Sequence, residues 1–184
     1  MEKMNQRVML TKRLLKESFT ELLKEKDIHK ISIRKLCSNA GINHCTFYKY
    51  YGSQYDLLKE MESDMLQKVE EELTKSNSEE PIKMLLGYLE NNLDIARMLI
   101  NNNIDPQFPE KLFSSPLIQQ RFTDELGKNH SSDDCEYLSN FIFYGAFRII
   151  QIWLNKDRRE SPEEMARIMY ITFNQIIEHT KNRA

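Results

Sequence analysis

The stretch Ile31–Leu58, ISIRKLCSNAGINHCTFYKYYGSQYDLL, decides how the chain folds. Ser32 is a favourable N-cap for a short helix carrying Ile33, Leu36, Cys37 and Ala40, and Gly41 supplies the left-handed residue that stops it. Ile42 follows, and Asn43 then caps a further helix running from His44 to Tyr50 or Tyr51. In that helix Phe47 and Tyr51 lie four apart on one face, whereas His44, Tyr48 and Lys49 project elsewhere. Two short helices joined by a tight glycine turn make a helix-turn-helix, and Gly52-Ser53 break the chain before it restarts.

Working outward, Thr11, Leu14, Leu15, Ser18, Phe19, Leu22 and Leu23 recur at three- and four-residue steps. They predict one buried stripe on a first helix ending near Lys26, with Asp27–Ile31 as connector. Downstream, Leu57, Leu58, Met61, Met65, Val69 and Leu73 predict an amphipathic helix of about 20 residues, hence ~30 Å long. Such a helix is suited to connecting two domains. The polar run from Lys75 to Glu80 is the clearest break beyond it, and Pro81 fits the first turn of the next helix. Further helices are expected over 81–91, 92–102, 116–127, 133–155 and 161–180, with a proline-punctuated segment around Pro106, Pro109 and Pro116. No strand pattern or internal repeat stands out, so the expected fold class is all-α.

Composition agrees. The 184 residues include only 5 Gly and 5 Pro, and 40% are hydrophobic, which excludes collagen-like and disordered chains and supplies a core. Lys and Arg number 26 against 28 Asp and Glu, but residues 1–60 hold 12 of the cations and 7 of the anions, leaving 14 and 21 for the remainder. The basic excess points the N-terminal part toward a polyanion, although a solvated surface would look the same. No apolar run approaches the ~18 residues of a membrane span. The charged first sixteen residues lack the apolar centre of a secretory signal, so a cytoplasmic protein without membrane association is expected. Cys37, Cys45 and Cys135 are odd in number and share no CxxC spacing, which argues against a disulfide framework or a zinc knuckle.

The last two helices are apolar over more than one face: Tyr137, Leu138, Phe141, Ile142, Phe147, Ile149, Ile152 and Trp153 in one, Met165, Ile168, Met169, Phe173, Ile176 and Ile177 in the other. A helix apolar on two sides must bury both, either in a thick monomer core or by pairing with a symmetry mate in a four-helix bundle. Gly145 and Ala146 permit close helix approach. Ser161-Pro162-Glu163-Glu164 is a capping box with Pro in the first position. The residues assigned to a homodimer interface are Phe141, Gly145, Ile149, Ile152, Trp153, Ile168, Phe173 and Ile176.

Ile31–Leu58, preceded by a helix of matching periodicity, resembles the DNA-binding domain of the TetR (tetracycline-repressor-like) family of bacterial transcriptional regulators over roughly residues 8–60. The residues that carry the likeness are Thr46-Phe47-Tyr48, the aromatic Tyr51, Gly52-Ser53 and Asp56-Leu57-Leu58. Phe143-Tyr144-Gly145-Ala146, Trp153 and Ser161–Glu164 look like the end of ligand-binding domains in one branch of that family. The resemblance implies residues 1–52 as a helix-turn-helix DNA-binding domain and 53–184 as a helical ligand-binding and dimerisation domain. It also implies a homodimer on a palindromic double-stranded DNA operator, a repressor by family default, that answers a small-molecule inducer through its fourth helix. Two positions depart from the pattern: Gln54, where a phosphate-contacting Lys is usual, and Cys45, where a small residue such as Gly is common.

A recognition helix places short polar groups near base edges in its first turn, while basic or longer groups hold backbone phosphates. Asn43, His44, Cys45 and Thr46 occupy that turn. By resemblance, Tyr48, Lys49 and Tyr50 bind phosphate, helped by Ser32, Arg34 and Lys35 on the preceding helix and by Arg7 and Lys12 on the N-terminal arm. Phe47, Tyr51, Leu36 and Ile42 are assigned to the core, with Cys37. Ser32 can equally do no more than cap its helix, and Cys45 is read as a small surface residue in preference to a redox switch, since no resolving cysteine is near in sequence.

An adaptable ligand pocket is placed among Met84, Tyr88, Met98, Phe108, Phe113, Phe122, Phe143 and Arg148, with ordinary core packing as the competing explanation for the apolar members. Arg148 suits an acidic ligand, an interface partner or a solvated edge. His130, Asp133, Asp134 and Cys135 have the side chains of a metal site but sit where a helix cap with N-terminal acids is expected, so no metal and no cofactor are assigned. No nucleophile-base-orienter set and no phosphate-binding glycine loop is present, so no enzyme is expected. The alternative to a regulator is a helical partner-binding protein that has lost ligand control or operator binding.

Overall fold

The computed structural model describes residues 2–75, 81–101, 104–117 and 132–181, and all regular structure among them is helical. The helices are α1 (Glu2–Glu25), α2 (Ile33–Ala40), α3 (His44–Phe47), α4 (Gln54–Lys75), α5 (Pro81–Asn91), α6 (Leu93–Asn101), α7 (Phe108–Phe113), α8 (Ser132–Asn155) and α9 (Pro162–Lys181). A 3-10 turn, Ile28–Lys30, sits between α1 and α2. Two compact units emerge, Met1–Met65 and Leu66–Ala184, and α4 runs through the division, so that Gln54–Met65 fall in the first.

In the first unit α1 packs on α2 and α2 on α3. Leu15, Phe19, Leu36, Phe47 and Leu57 are wholly buried, which places the α1 stripe against the two short helices and the start of α4. Ser18 is buried among them because its hydroxyl donates to the Leu36 carbonyl at 3.0 Å and accepts from the Asn39 amide at 3.2 Å. Gly41 adopts φ 66°, and its N–H closes on the Ser38 carbonyl at 3.3 Å while the Ile42 N–H reaches the Cys37 carbonyl at 2.9 Å. These bonds terminate α2 as the sequence anticipates.

In this unit one helix extends beyond its apolar stripe and one is shorter than expected. Helix α1 starts at Glu2, well before Thr11, because residues 2–10 are good helix formers with no Gly or Pro; the apolar stripe marks where burial begins, and the helix begins earlier. Helix α3 stops at Phe47, and the chain to Tyr51 continues in tightened turns. Lys49 N–H meets the Thr46 carbonyl at 3.3 Å and Tyr50 N–H the Phe47 carbonyl at 2.9 Å, the three-residue pattern usual at a fraying helix end.

In the second unit α5 packs on α9, α6 on α8, and α7 against both α6 and α8. Trp153 is completely buried, its indole N–H donating to the Glu160 carbonyl at 2.9 Å and its ring facing the Arg159 guanidinium at 5.5 Å. Two bonds tie α6 to α8: Arg97 Nε donates to the Leu154 carbonyl and Gln151 Nε2 to the Ile100 carbonyl, both at 2.7 Å. They satisfy carbonyls at helix ends that intrahelical bonding leaves open. The capping box at α9 is reciprocal, Glu164 N–H to Ser161 Oγ at 3.2 Å and Ser161 N–H to Glu164 Oε2 at 3.0 Å.

Helices expected over 81–91, 92–102, 133–155 and 161–180 appear within two residues of those bounds. The proline-punctuated segment contains a short helix that was not anticipated, α7, which tolerates Pro109 in its first turn and follows an Asp105 turn accepting from the Gln107 N–H at 2.9 Å. Of the helix expected over 116–127, residues 118–127 lie outside the described residues, as do Phe122, His130 and the polar run 76–80.

Candidate nucleic-acid interface

The helix-turn-helix sorts its side chains by face. Leu36, Phe47 and Tyr51 are buried and Ile42 half-buried, while Ser32, Arg34, Lys35, Asn43, His44, Cys45, Tyr48 and Lys49 are exposed and Thr46 and Tyr50 half-exposed. Phe47 and Tyr51 stack with ring centroids 5.3 Å apart, and the Tyr48 ring meets Phe47 edge-on at 5.6 Å while remaining 57% exposed. The buried ring thus supports Tyr48 from below and leaves its hydroxyl at the surface.

Local capping fixes what the first turn of α3 presents. Asn43 Oδ1 accepts from the Cys45 N–H at 2.8 Å, so this oxygen is committed to the helix and the amide nitrogen is the outward-facing part. The Cys45 sulfur lies 3.8 Å from His44 Nε2. Ser32 Oγ accepts from the Lys35 N–H at 3.2 Å, which caps α2 and leaves the hydroxyl proton as a donor. At the start of α4, Asp56 Oδ2 takes the Gly52 N–H at 3.0 Å, the Ser53 N–H at 2.9 Å and the Ser53 hydroxyl at 3.1 Å. A carboxylate therefore fills the anion-binding end of this helix, and the neutral Gln54 stands beside it.

The cations assigned to DNA divide into two groups. Arg7, Arg34, Lys35 and Lys49 are exposed and, among the described residues, make no ion pair. Lys12 is engaged: its Nζ lies 2.6 Å from Glu60 Oε2, 5.6 Å from the Tyr51 ring centre and 6.0 Å from that of Tyr50. The same Glu60 accepts from Lys16 Nζ at 2.7 Å and from the Tyr51 hydroxyl at 3.0 Å, and Lys16 reaches Asp64 Oδ2 at 2.5 Å. Burial alone pushes the Glu60 carboxyl up, but hydrogen bonds from Lys12, Lys16 and Tyr51 and the Lys16 charge outweigh it and hold the group below the ordinary glutamate value. Burial lowers the Lys16 ammonium, and Asp64 and Glu60 together carry it above its usual value. Burial, with the Glu60 charge second, raises the Tyr51 hydroxyl, which stays protonated and donates. The sequence reading missed Glu60, Lys16 and Asp64, although Lys12/Lys16 and Glu60/Asp64 are two pairs at four-residue spacing and opposite charge.

In the second unit, the residues assigned to self-association separate by burial. Phe141, Ile152 and Ile168 are exposed, Gly145, Ile149 and Ile176 intermediate, and Trp153 and Phe173 buried in the protomer's own core. Tyr137, absent from that assignment, shares the exposed face of α8 with Phe141, Arg148 and Ile152, and Ile171 adds to Ile168 on α9. The signal was the spacing 137, 141, 148, 152, a single stripe opposite Trp153. Of the assigned pocket residues, Met98, Phe108 and Phe143 are buried, Tyr88 intermediate, and Met84 and Arg148 exposed, Arg148 donating to Gln151 at 3.1 Å. The Phe113 side chain lies outside the described residues. Asp133, Asp134 and Cys135 fall in the first turn of α8, where only the backbone is described, and among the described residues no cluster of His, Cys, Asp and Glu has the geometry for a metal ion. No helix among them is long and apolar enough to cross a membrane.

Comparison with known proteins bears on both units. No curated protein matches the chain. A TetR transcriptional regulator from Streptococcus agalactiae 2603V has the same fold, with a TM-score of 0.70 at 22% identity over 94% of this chain and 98% of that one. The dihydroxyacetone kinase operon activator DhaS is more distant, with a TM-score of 0.53 at 19% identity over 92% and 97%. Residues 20–61 match the bacterial regulatory proteins of the tetR family, and residues 76–175, over half of the chain, match the transcriptional regulator C-terminal region of TetR proteins. With a helix-turn-helix that presents its polar face outward and a helical second unit, the chain belongs to the TetR family of bacterial transcriptional regulators.

Proposed function

We propose that this regulator is a cytoplasmic homodimer that binds a palindromic DNA operator through α3, acts as a repressor, and is released by a small-molecule inducer held in the second unit. The observation that carries the DNA-binding part is the sorting of charge on the first unit: Arg7, Arg34, Lys35 and Lys49 are exposed and make no ion pair among the described residues, and the polar first turn of α3 is exposed above a buried aromatic floor. Cations of that kind can meet phosphates and release counterions, while Asn43, His44, Cys45 and Thr46 are short enough to meet base edges. The proposed division of labour keeps residues 1–52 for DNA and 53–184 for dimerisation and ligand control. Self-association is supported by the exposed apolar stripe on α8 and α9, since two-fold pairing would bury Phe141, Ile152 and Ile168.

The test is selection of genomic fragments by the purified protein, followed by titration of the winning duplex at several salt concentrations. A palindrome is expected, with a slope of log affinity against log salt of about -7 if all four cations of both protomers meet phosphate. Genes beside the site then nominate inducers, whose addition should lower affinity. No enrichment above random fragments would overturn operator binding and leave the partner-binding alternative.

A further inference from the structure

Resting on the operator-binding reading, we propose that Lys12 is a positioning residue for the end of the recognition helix and makes no phosphate contact, with Glu60 as the carboxylate that holds it there. Its ammonium is bound from two sides. Glu60 of α4 lies 2.6 Å away, and the faces of Tyr50 and Tyr51 lie 6.0 and 5.6 Å from it. Glu60 is in turn shared by Lys16 and the Tyr51 hydroxyl, so one carboxylate gathers two positions of α1 and the turn that follows α3.

Charge and geometry both separate Lys12 from the other basic residues. Lys12, Lys16, Glu60 and Asp64 sum to zero, so a phosphate approaching this cluster meets no excess positive charge, in contrast to Arg34, Lys35 and Lys49. To bind DNA directly, Lys12 would have to leave an ion pair that is only about a third exposed, with side-chain exposures of 33% and 26% for the two partners. Left in place, it holds the rings of Tyr50 and Tyr51 by their faces. The backbone between Phe47 and Tyr51 lies past the end of α3, where the Tyr50 and Tyr51 N–H groups share the Phe47 carbonyl at 2.9 and 3.0 Å, and the Lys12 contacts to both rings add a side-chain constraint on the direction of the Tyr50 hydroxyl.

Lys12→Met keeps the length of the stem and removes the ammonium. In the free full-length protein, hydrogen exchange of the Tyr50 and Tyr51 amides should quicken by roughly fivefold to tenfold while the Leu36 amide in α2 is unchanged. On the selected operator the variant should bind roughly fivefold to tenfold more weakly with the wild-type salt slope, whereas Lys49→Ala should flatten the slope by about two units in a dimer. Lys12→Arg should recover most of the affinity, because it restores both the ion pair and the ring contacts. Glu60→Gln should weaken binding; a gain in affinity with a steeper slope would instead show Lys12 freed to reach phosphate and would overturn the proposal. It would also be overturned by a slope reduced to the Lys49→Ala value, or by unchanged exchange at Tyr50 and Tyr51. If the wild-type protein selects no operator, the functional reading falls, and the exchange measurement alone still decides whether Lys12 holds the turn.

Discussion

The two units solve opposite surface problems. The first exposes polar and cationic groups over a buried aromatic floor, and its half-buried ion pairs join two helices, Lys12 and Lys16 against Glu60 and Asp64. The second ties α6 to α8 by polar bonds at helix ends and turns apolar side chains outward: Tyr137 is 75% and Phe141 63% exposed. Single exposed apolar residues are common on any protein, but a stripe at helical spacing along α8 is organised. The difference teaches that one unit is prepared to meet a hydrated polyanion and the other to lose water against an apolar surface.

The contrast requires that the second unit have a core of its own beneath the stripe, and Trp153 is its centre. Trp153→Ala removes a fully buried indole with its hydrogen bond to Glu160 and is expected to cost about 3–5 kcal/mol, measured by urea denaturation followed by circular dichroism. A cost below about 1 kcal/mol would mean that the packing around α8 depends on something other than this core, since values that small are typical of surface substitutions.

Phe141→Asp probes the stripe itself. Because Phe141 is exposed in the protomer, the chain's folding stability should change by no more than about 0.5 kcal/mol. Self-association should weaken by at least about thirtyfold, the equivalent of an interface hot spot of about 2 kcal/mol, read by sedimentation. Unaltered association would remove α8 from the interface and erase the contrast between the units.

On the first unit the corresponding probe is His44→Ala. It should cost roughly 1–3 kcal/mol on the selected operator and shift preference among base variants of that site. Equal loss on every sequence would place His44 among the phosphate contacts.

How legible these features were depended on the range of the interactions behind them. Ser32, Gly41, Asn43 and the Ser161–Glu164 box act through bonds spanning a few residues, and each was readable from residue type and spacing. The α1 start is not marked by the apolar stripe, because periodicity reports burial while the helix itself runs back to Glu2. The Glu60 cluster was missed for a different reason. Lys12 and Glu60 are 48 residues apart, and only packing of α1 beside α4 reveals that the lysine already has a partner. Likewise both faces of α8 read as apolar in sequence; spacing puts Trp153 and Phe141 on different faces, and burial shows that Trp153 faces the core and Phe141 the surface.

The smallest expected effect tests the turn on which the first unit depends. Gly41 sits at φ 66° with no atom within 4 Å of where a Cβ would be, so Gly41→Ala meets no steric block and isolates the backbone cost. That cost should be about 1 kcal/mol of stability, and Gly41→Asn should lose less because asparagine tolerates the left-handed region. Gly52 provides the contrast: it is not held at positive φ, and an added Cβ would lie 3.1 Å from the Asp56 carboxylate, which accepts the Gly52 and Ser53 amides. Its substitution should therefore act on the α4 cap and leave the α2 end intact. Equal losses for Ala and Asn at position 41 would show that the left-handed conformation contributes little to the turn, and that contacts such as those of Leu36 and Phe47 set the placement of α3.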